Sequence, residues 1–180
     1  FQLKKEEQSE LLLLAKEAIG TKLSGGKPSA TGHLKKGILG SPAGAFVSVY
    51  VKGELRGCIG NFGSTGKTLG EVVQKSAISA INDSRFRPLH KDEQKDMELE
   101  ISVLSPLKKI ESVSEIELGR HGIYIKKGLH SGTFLPQVAS KTGWALDEFL
   151  GRCSRDKAGL SWDGWKKADL FTYEAFVFRG

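Results

Sequence analysis

A chain of 180 residues, 39% of them hydrophobic, can bury one sizeable core or two small lobes and is too apolar for wholesale disorder. No apolar run approaches the ~18 residues of a membrane helix, no secretory pattern opens the chain, and two distant cysteines do not frame a disulfide scaffold; a soluble, cytoplasmic protein is expected. Lys and Arg number 27 against 21 Asp and Glu, a formal charge of +6, but no basic run accompanies the excess, so a solvated basic surface is expected rather than nucleic-acid binding.

The first predicted element is a helix over residues 4–22, where Leu11, Leu14, Ala15 and Ala18 recur at i, i+3, i+4 and i+7 and share a face. It ends in Ser24-Gly25-Gly26-Lys27-Pro28, and the Gly, Ser and Pro content up to residue 44 predicts a surface loop with little regular structure. Residues 45–51 alternate as a strand, Phe46, Ser48 and Tyr50 on one face and Val47, Val49 and Val51 on the other. Lys52-Gly53-Glu54 turns the chain, and residues 55–60 return as its hairpin partner. Thr68-Leu69-Gly70-Glu71 has the form of a capping box and opens a helix whose apolar face is Leu69, Val72, Val73, Ala77, Ala80 and Ile81.

Residues 97–104 alternate again, Leu99, Ile101 and Val103 inward and Glu98, Glu100 and Ser102 on the other face. Two strands are predicted at 122–127 and 133–135 around a turn at 128–132. Pro136 stops the second, and short helices at 137–141 and 146–153 lie either side of Gly143. A long aromatic strand over 170–178 closes the chain. Hairpin-length links without a βαβα repeat predict an α+β fold, mainly antiparallel sheet with flanking helices. Residues 1–180 read as a single compact domain with room for a smaller lobe.

The densest chemistry is Leu55-Arg56-Gly57-Cys58-Ile59-Gly60. Two glycines weaken a strand, so their place beside a cysteine suggests a bulge or a close approach to the backbone. Exposed N–H groups there could stabilise an oxyanion. In a regular strand Arg56 and Cys58 share a face, and the cation would favour the thiolate. The plain alternative is that Cys58 is a small buried hydrophobe and the glycines only shape a bend. His121, at the entry to a strand, is a candidate base or a turn residue. Glu100 could orient a histidine or bind a cationic group, or sit on a solvated face. Arg85 could fork onto a carboxylate or phosphate, or form a local ion pair. The cysteines and histidines match no metal-ligand spacing. The segment 63–68 ends in Gly-Lys-Thr, but Asn61 stands where a phosphate loop needs its first glycine, so the motif fails. Trp144, Trp162, Trp165, Phe171 and Tyr173 read as core contacts, and Cys153 as buried and inert.

LRGCIG at 55–60 resembles the hallmark of the AMME-syndrome candidate-region protein family, whose bacterial and archaeal members are named AmmeMemoRadiSam system protein A. The likeness continues through Ser76-Ala77, Asp83-Ser84-Arg85-Phe86 and Leu99-Glu100-Ile101-Ser102-Val103-Leu104. It extends to His121-Gly122-Ile123, Leu135-Pro136-Gln137-Val138-Ala139, Gly143-Trp144 and Lys157-Ala158-Gly159-Leu160, in order over nearly the whole chain. The resemblance implies an α+β fold with a cleft beside the LRGCIG strand, and association with a Memo-like protein and a radical-SAM protein. Two positions depart from it: Arg87, where members tend to have Pro, and Asn61, where Thr or Tyr is more usual. Both bear on what the cleft accepts.

The expected function is a small enzyme using Cys58 in a basic-rimmed cleft, on a small anionic or carbonyl-bearing substrate or a protein modification. Cys58 would be the nucleophile, His121 the base, with Glu100 as a further catalytic candidate. The Gly57 and Gly60 N–H groups would stabilise the oxyanion, and Arg56 and Arg85 would hold substrate charge beside Asn61. No cofactor and no metal are expected. The alternative is a non-catalytic adaptor that docks a Memo-like or radical-SAM partner. Homo-oligomerisation is left open.

Overall fold

The computed structural model describes residues 2–29, 31–62 and 66–180; Gly63, Ser64 and Thr65 of the Gly-Lys-Thr segment lie outside them. In chain order the elements are α1 (Lys5–Leu23), β1 (Gly44–Val51), β2 (Glu54–Asn61), α2 (Leu69–Ala80), β3 (Met97–Leu104), β4 (Lys108–Ile110), β5 (Gly122–Lys127), β6 (His130–Phe134), α3 (Pro136–Thr142), α4 (Leu146–Arg152), β7 (Asp169–Tyr173) and β8 (Ala175–Arg179). Short 3-10 turns punctuate them, two at Thr31–Lys35 and Gly37–Gly40 in the expected loop and another at Lys91–Asp96. The fold is α+β with two antiparallel sheets, ordered β2-β1-β3-β8 and β4-β7-β5-β6. Among the described residues no helix is long and apolar enough to cross a membrane.

The chain divides into two units, Phe1–Leu104 with Phe176–Gly180, and Ser105–Ala175. In the first, the inward residues of the sheet are the alternating set read from the sequence: Val47, Val49, Val51, Leu99, Ile101 and Val103 are all buried. They join Leu11, Leu14, Ala15 and Ile19 of α1 and Leu69, Val72, Val73, Ala77 and Ala80 of α2 in one core. Thr68 caps α2 as expected, its Oγ1 accepting from the Glu71 N–H at 3.3 Å while the Glu71 carboxylate accepts from the Thr68 N–H at 2.9 Å. The β1–β2 turn places both Lys52 (φ 51°) and Gly53 (φ 79°) in the left-handed region, the twist-matched hairpin geometry.

The second unit has its own core of Ile123, Ile125, Phe134, Ala139, Phe149, Leu150, Cys153 and Ala158. Lys127 pairs with His130, so the β5–β6 turn is only Gly128-Leu129 and the second strand starts three residues earlier than expected. Pro136 opens α3 at its first turn, and Gly143 (φ 69°) ends it in the left-handed conformation, the common helix stop. After α4 the chain runs on as a π-helical turn, Cys153–Lys157, which carries Cys153 into the core. The predicted strand over 170–178 is two strands, β7 in one sheet and β8 in the other. The break is at Glu174, whose N–H donates to Ser105 Oγ at 2.7 Å and whose carbonyl accepts from the Ser105 N–H at 2.9 Å. Those bonds take Glu174 out of both ladders.

Candidate functional site

A bulge in β2 positions the candidate residues. From the turn, Val51 pairs with Glu54 and Tyr50 with Leu55, but Val49 then pairs with Gly57 and Ser48 with Cys58. Arg56 is the extra residue, and Arg56 and Gly57 together oppose Val49. The slip reverses every later side chain of the strand. Cys58 therefore lies on the face of Ser48 and Tyr50, and Arg56 does not share it. The expectation that the two emerge together is overturned by this one-residue insertion.

Cys58 is held by hydrogen bonds on two sides. Its N–H donates to Asp83 Oδ2 at 3.1 Å, and its carbonyl accepts from Arg85 Nη2 at 3.0 Å. Asp83 and Arg85 thus stand where a further strand would pair with the outer edge of β2. Because both backbone groups of Cys58 point outward, Cys58 and Ser48 form a non-hydrogen-bonded cross-strand pair, the kind that brings side chains closest. Ser48 Oγ donates to Cys58 Sγ at 3.2 Å. Next in the row, Glu100 pairs with Ser48 across β1–β3, and its Oε2 accepts from Arg179 Nε at 2.7 Å. Leu99 and Gly180 exchange N–H···O bonds of 2.9 and 3.0 Å, which makes β3 and β8 antiparallel and sets Glu100 beside Arg179. One polar row, Cys58–Ser48–Glu100–Arg179, crosses all four strands.

The row is buried in its middle: Ser48 is 7% exposed and Glu100 6%. Of the two readings open for Glu100, its burial and its bond to Arg179 exclude the solvated face. Burial pushes the Cys58 thiol above its ordinary value, against the Ser48 hydrogen bond and the Arg85 charge, which draw it down; Asp83 and Glu100 add to the rise. Cys58 is a neutral thiol at rest. Cys153 is fully buried and pushed up to about 12. Asp83 is the opposite case. The Arg85 guanidinium holds its carboxyl down at about 2 against burial, helped by the N–H groups of Cys58 and Arg85.

The remaining candidates make other contacts. Arg56 is 5% exposed and its Nη1 pairs with Glu93 at the edge of the hairpin. Gly57 faces α2: a Cβ there would lie 1.8 Å from the Ala80 carbonyl oxygen. Its pairing with Val49 turns its N–H into the ladder, so it is not an oxyanion donor. Gly60 is required by the Ala45 carbonyl and the Phe46 side chain packed over it. Asn61 ends β2 opposite Ala45. His121 belongs to the second unit, where its Nδ1 accepts from the Glu117 N–H at 3.0 Å and closes the turn before β5. Sequence reasoning left out Ser48, Asp83 and Arg179 as partners of Cys58 and Glu100.

Residues 12–178 match the family described as AMMECR1. A protein of Methanopyrus kandleri is 40% identical, the match covering 97% of this chain and 88% of that one. A protein of Pyrobaculum aerophilum is 35% identical over 97% of this chain and 86% of its own. The crystal structure of an uncharacterized protein from Pyrococcus horikoshii superposes with a TM-score of 0.90 at 33% identity, covering 99% of this chain and 94% of that one.

Proposed function

The chain belongs to the AMMECR1 family, and from that premise we propose that it is a cysteine-dependent enzyme acting on a small carbonyl-bearing substrate from the polar face of the first sheet. The observation behind this reading is the row Cys58–Ser48–Glu100, polar yet buried in the middle of a sheet. Buried charge and hydroxyl groups give poor returns in stability, and departures of this kind concentrate at functional sites.

A neutral thiol needs a base to attack. For transfer the Ser48 hydroxyl, which at rest donates to Cys58 Sγ, turns toward Glu100, its cross-strand neighbour; the Cys58 proton then passes to Ser48 Oγ as the Ser48 proton passes to the Glu100 carboxylate. Sγ then bonds to the carbonyl carbon, and the carbonyl π pair moves onto oxygen, which takes the proton back from Glu100. The product is a tetrahedral thiohemiacetal-type adduct. Arg85, half-exposed, paired with Asp83 and bonded to the Cys58 carbonyl, would hold an anionic group of the substrate through the rest of its guanidinium.

Adduct formation at Cys58 with a panel of aldehydes and activated esters, read by peptide mass spectrometry, tests the proposal. Glu100→Gln removes a charge that raises the thiol pKa, so simple acidity would make the variant faster. General-base transfer makes it slower, by about tenfold or more. No adduct with any member, or faster adduct formation in Glu100→Gln, would sink the enzyme reading.

A second reading has its own support in the raised thiol pKa, since a protonated, hydrogen-bonded cysteine packs like any small side chain. In it the chain is an adaptor docking a Memo-like or radical-SAM partner. Co-purification with such a partner, undiminished in Cys58→Ser, is the outcome that favours it.

A further inference from the structure

Beside the β1–β2 hairpin the first unit holds a cavity of about 650 Å³, the size of a metabolite site. Its walls are the hairpin and the segment 87–96, and one of the lining residues is Arg56. The Arg56 guanidinium pairs with Glu93 through Nη1 and donates through Nη2 to the carbonyls of Arg87 and Pro88 at 3.2 and 3.3 Å. Its Nε–H is buried with no partner, which leaves the desolvation of that donor uncompensated. Arginine does not escape the cost by losing its charge.

Glu93 is also shared. Arg87 Nη1 donates to its other oxygen at 3.3 Å, and the His90 N–H donates there as well, at 3.3 Å. Two guanidiniums thus lean on one carboxylate at that wall, while over the whole lining four basic side chains, Lys95 among them, face four acidic ones. Lys52, also at the cavity, is engaged by Asp96 at 3.9 Å. Glu54 and Asp92 line the same space and would repel an extended polyanion.

We infer that this cavity is a site for a small ligand bearing one carboxylate or phosphate group, received between Arg87 and Arg56, with Glu93 holding both guanidiniums in place. The acidic residues select for hydrogen-bond donors or positive charge on the rest of the ligand. The site is separate from the Cys58 row, because the bulge turns Arg56 away from the sheet face that carries Cys58.

The test is a titration of the ¹⁵N-labelled protein with inorganic phosphate and, separately, with acetate, following arginine Nε–H cross-peaks in mildly acidic buffer. Sodium chloride at matched ionic strength is the reference. The expected result is a saturable shift of the Arg56 and Arg87 signals with at least one oxyanion, while Arg152, Arg155 and Arg179 stay on the chloride line. Saturation with phosphate alone or acetate alone supports the site and narrows the ligand class. Arg87→Gln, at an exposed side chain, weakens the binding about tenfold. Parallel, unsaturated drift of all arginines, or a saturable shift that Arg87→Gln leaves unchanged, overturns the inference.

Discussion

Cys58 and Asp83 touch each other, yet their surroundings act on them in opposite directions. Burial is the largest influence on the thiol and keeps it protonated; the Arg85 ion pair is the largest on the carboxylate and keeps it charged. The Ser48 hydrogen bond is the main influence favouring the Cys58 thiolate, so Ser48→Ala raises the thiol pKa further. Iodoacetamide labelling at mildly alkaline pH, read by peptide mass spectrometry, becomes slower by about threefold or more, with Cys153 unlabelled in both proteins while they stay folded. Asp83 gives a pH prediction. Its folded pKa of about 2 lies below the ordinary 3.8, so its contribution to stability is complete above about pH 4 and is lost as pH falls toward about 2. Asp83→Asn costs about 2 kcal/mol at neutral pH and flattens the pH dependence within that window, as urea unfolding at several pH values will show. An unchanged slope would mean that other carboxylates govern acid unfolding.

Hairpins fix their register at the turn, and here the turn alone misleads. Counted back from Lys52-Gly53, a regular ladder puts Ser48 opposite Gly57 and Cys58 opposite Val47, on the apolar face. The bulge at Arg56 is what moves Cys58 onto the polar face with Ser48. The two glycines hinted at an irregularity, but not at which residue was extra, so α1, α2 and the first three strands were legible while the partners of Cys58 were not. For Glu100 alternation named the side but not how buried that side is, so a cation-binding role and a solvated face both stayed open. Thr68, by contrast, announced its cap through local spacing alone. Two substitutions probe the hairpin. Lys52→Asn relieves a positive φ that Asn tolerates better and stabilises by about 0.5–1 kcal/mol. Gly57→Ala drives a Cβ against the Ala80 carbonyl and costs about 3 kcal/mol or more. Shifts of the urea midpoint in opposite directions are expected; a harmless Gly57→Ala would mean that α2 is free to move off the strand.

At the scale of the molecule, the first unit is assembled from both ends of the chain. Residues 105–175 are inserted between β3 and β8, and the last strand returns to pair with β3. Nothing in the alternation of residues 170–178 marked that return. Thr172, Glu174 and Phe176 keep one period through the break, which was made by hydrogen bonds from Glu174 to Ser105, far away in sequence. The closing segment therefore stabilises residues some eighty positions upstream. Phe178 is buried in the first core, Arg179 bonds Glu100, and Gly180 exchanges two hydrogen bonds with Leu99. Ending the chain at Ala175 strips these contacts from β3 and destabilises the first unit by about 4 kcal/mol or more. Hydrogen exchange reads the effect directly, because the Leu99 amide donates to the Gly180 carbonyl and loses its protection in the truncated chain. Phe178→Ala, which keeps the strand and its backbone bonds, costs about 3–5 kcal/mol through the cavity alone and quickens exchange at Leu99 as the whole unit opens more often. Protection of Leu99 that survives both changes would mean that β8 is an ornament on the sheet and that the first unit closes on residues 2–104 alone.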